Sequence, residues 1–66
     1  MRIDEIKLRT IMMEKDIKQV DLAKLTGISK NGINSICRGR SCKTETADLI
    51  AKALGVKTAD FSLRVE

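Results

Sequence analysis

The sequence lacks several residue types that enzymes and metal sites commonly need. Its 66 residues include no His, Trp, Tyr or Pro, and only one Phe. Without His, the commonest general base and metal ligand is missing. The two cysteines, Cys37 and Cys42, are five residues apart, which fits neither a CxxC redox pair nor a usual zinc spacing. No nucleophile–base pair, paired carboxylates on one helical face or Gly-rich phosphate loop can be assigned, so we expect no enzyme, no cofactor and no metal site.

The absence of Pro and the presence of only four Gly favour a mostly helical chain, and the scarcity of aromatic residues predicts an aliphatic core. This length allows one domain, residues 1–66, whose small core must be aliphatic and packed helix to helix. No apolar run approaches the length of a membrane span. Two cysteines in such a chain, with no signal peptide, indicate reduced thiols and a cytoplasmic protein with no membrane partner.

Acidic residues are missing from the middle of the chain. Overall, 13 Lys and Arg against 9 Asp and Glu give a net charge of +4. Between Asp21 and Glu45, however, there is no acid, whereas the same segment carries the basic residues Lys24, Lys30, Arg38, Arg40 and Lys43. A segment of one charge sign is the electrostatic signature of a surface that contacts phosphate.

Residues 19–39, QVDLAKLTGISKNGINSICRG, predict two short helices joined by a tight turn. Gly27 falls where the first helix must stop, and glycine enters left-handed backbone space without a Cβ penalty. Ala23 is small, so a second helix can cross close to it. Ser29 is a good N-cap for that second helix.

The second of these helices, about residues 29–37, is amphipathic. At 100° per residue, Ile33 and Ile36 share its inner face. The opposite face carries amide, hydroxyl and cationic groups from Lys30, Asn31, Asn34, Ser35 and Arg38. Such groups contact base edges and phosphates in a major groove, although the same pattern also occurs on a face that is simply solvated.

These residues resemble the phage-repressor-like (Cro/Xre type) helix-turn-helix family. The matching positions are Gln19, Ala23, Gly27, Ser29, Ile33, Ile36 and Gly39, followed by the segment 50–56, IAKALGV. The resemblance extends from about residue 8 to residue 63. It implies an all-α, compact five-helix bundle of the lambda-repressor-like type, in which helices 2 and 3 form the helix-turn-helix unit, residues 19–38.

The resemblance also implies a sequence-specific regulator of transcription, a repressor in the first instance, that binds double-stranded DNA with helix 3 in the major groove. The base-reading positions carried over from the family are Lys30, Asn31 and Ser35, and we add Asn34 from its outward angle. The candidate phosphate contacts are Gln19, Ser29, Arg38, Arg40 and Lys43. Because one such module makes few contacts, we expect a homodimer on a palindromic operator.

A second hypothesis is that the protein has this fold but does not bind DNA. An antitoxin-like adaptor or other protein-interaction module would bind a protein partner through Leu25, where the family usually has a polar residue, or through the C-terminal tail with Leu63 and Val65.

The first helix also departs from the family. Met12 and Cys37 stand where an arginine and a glutamate often pair, and we predict that they touch in the core.

The remaining boundaries follow from caps and apolar spacing. The first helix is predicted from Asp4 to about Lys15, with inward residues Leu8, Ile11, Met12 and Met13. The fourth is predicted over residues 45–54, with Thr44 as its cap, and a short fifth helix from Thr58 carries Phe61 into the core. Gly32 is unfavourable within a helix, and we expect it where helix 3 approaches helix 2 closely, with a close approach to the DNA backbone as the alternative.

Overall fold

The computed structural model describes residues 2–63, which form an all-helical bundle. Its elements are α1 (Glu5–Glu14), α2 (Gln19–Thr26), α3 (Lys30–Cys37), α4 (Thr44–Leu54) and a 3₁₀ turn at Thr58–Asp60. The longest helix, α4, has 11 residues. Within residues 2–63 no helix is long and apolar enough to cross a membrane.

The predicted count of five helices is wrong, because the described residues contain four α-helices and one 3₁₀ turn. The fifth element stops after three residues. Asp60 accepts a hydrogen bond from the backbone N–H of Lys57 at 3.0 Å, which closes the turn on itself. Phe61 then leaves helical geometry, with φ −131°, and is completely buried. The predicted burial of Phe61 is confirmed, and anchoring this one side chain needs only a turn.

The core is aliphatic apart from Phe61, and every helix contributes to it. Its largest fully buried side chains are those of Leu8, Leu22, Ile33, Ile50, Phe61 and Cys37. No polar or charged residue among those described is buried. The helices are therefore held together by apolar packing, and polar groups are left at the surface to interact with other molecules.

Met13 is an exception to the predicted inner face of α1, because its side chain is 81% exposed. Leu8 and Met12 are buried and Ile11 is half-buried, as predicted. Met12 lies against α3, and Met13 follows it 100° further round the helix, beyond the strip that α3 covers. Spacing alone overestimated the width of the apolar face.

The two ends of the described chain pair with each other. Ile3 forms an isolated antiparallel bridge with Ser62, and backbone N–H groups of Asp4 and Leu63 donate to Phe61 at 2.8 Å and Arg2 at 2.9 Å. The segment around Ile3, before α1, is thus extended. Of the predicted tail, residues 64–66 lie outside the described residues.

The start of α4 lies one residue earlier than predicted. Thr44 is its first helical residue, and Lys43 occupies the cap position without a side-chain hydrogen bond. The carbonyl of Lys43 already accepts the N–H of Ala47 at 3.0 Å, which draws Thr44 into the first turn. The predicted end at residue 54 is confirmed, and Gly55 follows it in the left-handed region at φ +71°.

Candidate nucleic-acid interface

The turn between α2 and α3 has the predicted geometry. Gly27 follows α2 in the left-handed region, at φ +76°, and its N–H donates to the carbonyl of Ala23 at 2.9 Å. The Ser29 hydroxyl then accepts a hydrogen bond from the N–H of Gly32 at 3.2 Å and caps α3. A single residue, Ile28, separates the stop signal from the cap, so the orientation of α3 follows directly from the end of α2.

Gly32 has tight surroundings, but not those predicted from the sequence. A Cβ at this position would lie 3.0 Å from Ile28 Cγ2 and 3.2 Å from Ser29 Oγ. Both atoms belong to the turn, whereas the sequence predicted an approach to α2. The capping bond explains the difference, because it draws the Gly32 backbone against the turn that precedes its own helix. Any side chain here would press on the cap that positions α3.

The four predicted base-reading residues lie on one face of α3. Lys30, Asn31 and Asn34 are exposed and Ser35 is half-buried. Ile33 and Ile36, on the other face, are buried. The structure thus brings together side chains that can donate to or accept from base edges on one surface, without any of them serving the core.

The five predicted phosphate-contacting residues lie around α3. Gln19 is half-buried at the first position of α2, and Ser29 is exposed at the start of α3. Because the Ser29 oxygen only accepts in the cap, its O–H can still donate to another group. The cations Arg38, Arg40 and Lys43 are exposed at and beyond the end of α3. Their contacts with DNA remain predictions.

The chain after α3 begins with a well-defined terminal turn. The N–H of Gly39 donates to Ile36 at 2.9 Å and that of Arg40 to Ser35 at 3.2 Å. With Gly39 at φ +93°, this is a Schellman motif, which satisfies two of the last helical carbonyls. Arg38 and Arg40 are therefore attached to an ordered turn.

Met12 and Cys37 touch, as predicted. The Cys37 Sγ lies 3.8 Å from Met12 Sδ in the seam between α1 and α3. Burial raises the pKa of the Cys37 thiol, an effect that the nearby Arg9 partly opposes. The thiol stays protonated at neutral pH and donates weakly to the thioether, which supports a structural role for Cys37.

Sequence reasoning missed a contact between α1 and the end of α3. Arg9 Nε donates to the carbonyl of Cys37 at 3.2 Å, and Arg9 Nη2 lies 3.9 Å from Glu5 Oε2. A Cβ on Gly39 would lie 3.6 Å from that Glu5 carboxylate. The sequence does carry a signal, since Arg9 precedes Met12 by one turn and so lies on the side of α1 that faces α3. In the folded protein, the Glu5 carboxylate therefore lies close to the acid-free segment between Asp21 and Glu45.

The family is established by comparison with known proteins. A helix-turn-helix family model matches residues 8–61. The chain therefore belongs to the helix-turn-helix family, and the match indicates a DNA-binding regulator of that type. The predicted resemblance is confirmed. A search of curated proteins found no match.

Three solved structures share the fold. The chain is similar to a mutant of hydroxyethylphosphonate dioxygenase, with 23% identity, a TM-score of 0.85, and coverage of 100% of this chain and 14% of that one. It is also similar to a cadmium-containing PhpD structure with hydroxyethylphosphonate bound, with 23% identity, a TM-score of 0.82, and coverage of 100% and 14%. The corresponding values for a Streptomyces albus dioxygenase with substrate and Fe(II) are 22% identity, a TM-score of 0.79, and coverage of 86% and 13%. At these identities the likeness concerns the fold, over a small part of each larger chain.

Proposed function

We propose that this protein is a sequence-specific double-stranded DNA-binding regulator, acting as a repressor, whose α3 enters the major groove. One observation carries the proposal. The exposed face of α3 consists of short polar and cationic side chains, while its apolar residues are all committed to the core. Lys30, Asn31, Asn34 and Ser35 read bases in this proposal.

Charge and geometry support the placement of the backbone contacts. Arg38, Arg40 and Lys43 follow α3 within six positions and are exposed, so they flank a groove that α3 occupies. Gln19 and Ser29 lie at the starts of α2 and α3, where backbone N–H groups and the helix dipole favour an anion. Phosphate contacts on both sides of α3 fix its register over the bases.

The proposal includes a homodimer on a palindromic site. One helix contacts few base pairs, and two copies related by a two-fold axis double the contacts on half-sites about one helical turn apart. A repressor then acts by occupying such an operator.

The decisive experiment selects bound duplexes from a randomised library at two salt concentrations and sequences them. We expect an enriched palindrome whose half-sites are about 10 base pairs apart centre to centre. Lys52→Ala, on the exposed side of α4 and outside the acid-free segment, is the matched charge control and should enrich the same motif. Binding without enrichment that vanishes as salt rises would contradict specific recognition.

We further propose that the chain acts by binding and not by catalysis. The three similar solved structures do not argue otherwise, because the chain covers only 13–14% of each of them. Their chemistry belongs to chains about seven times longer, and the shared part is the fold that this family uses to bind DNA.

A protein-interaction module on the same fold is the second candidate. Leu25 is 61% exposed on α2, and Met13 borders an open groove of about 580 Å³ together with Met12 and Ile17. Exposed apolar side chains of this kind favour a protein partner. Failure of the library selection, combined with loss of a captured partner on Leu25→Ser, would favour this role over DNA binding.

A further inference from the structure

The end of α3 has one terminal carbonyl that its own turn does not satisfy. The Schellman motif occupies the carbonyls of Ser35 and Ile36, and the N–H of Arg38 donates to Asn34 at 3.1 Å. The carbonyl of Cys37, the last helical residue, receives its donor from another helix, from Arg9 Nε at 3.2 Å. Arg9 is therefore a C-terminal cap for α3 supplied by α1.

Electrostatics favours the same arrangement. The C-terminus of a helix carries partial negative charge, and a guanidinium beside it is stabilised. Arg9 also faces the Glu5 carboxylate, one turn earlier on α1, at 3.9 Å. Both side chains are about half exposed, at 58% and 45%, so the ion pair itself adds little stability. Its effect is to orient Arg9 toward Cys37 and to compensate the charge of Glu5, whose carboxylate lies against Gly39.

We propose that Arg9 is a positioning residue for DNA recognition. The cluster of Arg9, Glu5 and the Cys37 carbonyl, here called the Arg9 clamp, fixes the C-terminal end of α3 on α1. Arg38 and Arg40 follow this point directly, so the Arg9 clamp also sets where they stand relative to the base-reading face. The side-chain seam at Met12 and Cys37 contains no ion pair, and the directional link between the two helices is made by Arg9. This role rests on the DNA-binding function proposed above.

The test compares Arg9→Met with Lys7→Met. Both variants remove one positive charge from α1 and leave an unbranched apolar side chain, but Lys7 is exposed and its side chain makes no hydrogen bond or ion pair with α3 among the described residues. For Arg9→Met we expect the ratio of specific to non-specific DNA affinity to fall about three- to tenfold, because the variant loses one hydrogen bond of ordinary net strength at a half-exposed site. Lys7→Met should lower both affinities together and leave the ratio unchanged.

Nuclear magnetic resonance examines the contact without DNA. In Arg9→Met the carbonyl ¹³C resonance of Cys37 should shift upfield, and the Gly39 and Arg40 amides should exchange faster with solvent. Arg9→Lys, which retains a donor and the charge, should recover part of both effects. Thermal unfolding of each variant shows whether it is folded before these values are compared.

Two results would overturn the proposal. One is an Arg9→Met protein in which the Cys37 resonance and the two amides match those of Lys7→Met. The other is a specificity ratio that falls equally in both variants. If the unmodified protein does not discriminate between sequences, the proposed function fails, and the resonance and exchange data alone then decide whether the Arg9 clamp exists.

Discussion

The two faces of α3 are fixed by different forces. On the inner face, Ile33, Ile36 and Cys37 are buried, and α3 packs against α1 and α2, so shape and volume decide which residues are tolerated. On the outer face, Asn31 and Asn34 contact solvent, so we expect their identity to have little effect on folding. Thus α3 is fixed in the fold almost entirely by contacts on its inner face and at its two ends. Substitutions should therefore separate stability from recognition.

The largest effect is expected on the inner face. Ile33→Ala removes a fully buried side chain and should lower the free energy of unfolding by about 2–5 kcal/mol. Because so small a domain has little net stability, this loss should leave a large fraction of the molecules unfolded. Urea denaturation followed by circular dichroism measures the loss. Asn34→Ala, the adjacent residue on the outer face, is the control and should change stability by no more than about 0.5 kcal/mol. Equal losses in both variants would refute the division between the two faces.

Asn31→Ala should leave stability unchanged and relax recognition at one base pair. A bidentate contact from an amide to adenine discriminates by about 1–3 kcal/mol. The measurement is the affinity for the selected operator and for each single-base variant of it. A uniform loss across all these duplexes would mean that Asn31 does not read a base.

Lys43→Ala should weaken binding to every sequence by a similar factor. Losing one phosphate contact lowers the slope of log affinity against log salt by about 0.9. Titrations on specific and random duplexes at several salt concentrations measure both quantities. Identical behaviour of Lys43→Ala and Asn31→Ala on every duplex would invalidate the separate roles assigned to them.

Ser29 is expected to affect both stability and DNA binding, because it caps α3 and is predicted to contact phosphate. Ser29→Ala should cost about 1 kcal/mol of stability through loss of the cap. Ser29→Asp keeps a capping acceptor and should preserve stability, while its negative charge opposes the DNA backbone and weakens binding. Unfolding curves and duplex titrations on both variants distinguish the two roles. A Ser29→Asp protein that binds DNA normally would exclude a nearby phosphate.

The smallest effect is expected at the end of α1, which closes with the same terminal turn as α3 but without a glycine. Asp16 adopts φ +54°. Its N–H donates to the carbonyl of Met13 at 3.2 Å, and the N–H of Ile17 donates to the carbonyl of Met12 at 2.9 Å. Asp16→Gly relieves roughly 1–2 kcal/mol of left-handed strain and loses roughly 0.4–1 kcal/mol through the freer unfolded chain. We expect a net gain of about 0.5 kcal/mol in thermal unfolding. Gly27→Ala, at φ +76°, should destabilise, and a loss of stability in Asp16→Gly would show that the Asp16 side chain contributes more than its strain costs.

Local signals predicted most of the fold because they depend on few residues. Gly27 and Ser29 defined the turn, and the 100° spacing of Ile33 and Ile36 defined the buried face of α3. Errors arose where the neighbouring element decides the outcome. The exposure of the Met13 side chain depends on how wide a strip of α1 is covered by α3, and the tight surroundings of Gly32 depend on the backbone path of the turn.

The candidate site divides in the same way. The chemistry of α3 and its following cations lies in consecutive residues, so the amino-acid sequence is enough to predict it. The Arg9 clamp is different, because Arg9 and Cys37 are 28 residues apart in the chain and their contact runs to a backbone carbonyl. No residue type at position 37 would have revealed it.

The sequence by itself determined the helices, their stop signals, the polar outer face of α3 and the family of the protein, because each depends on local backbone preference or on side chains one turn apart. Tertiary structure alone decided that the fifth helix is a single 3₁₀ turn, that Ile3 pairs with Ser62, and that α1 caps α3 through Arg9. These features depend on distances between residues far apart in the chain, and those distances are set only when the core packs.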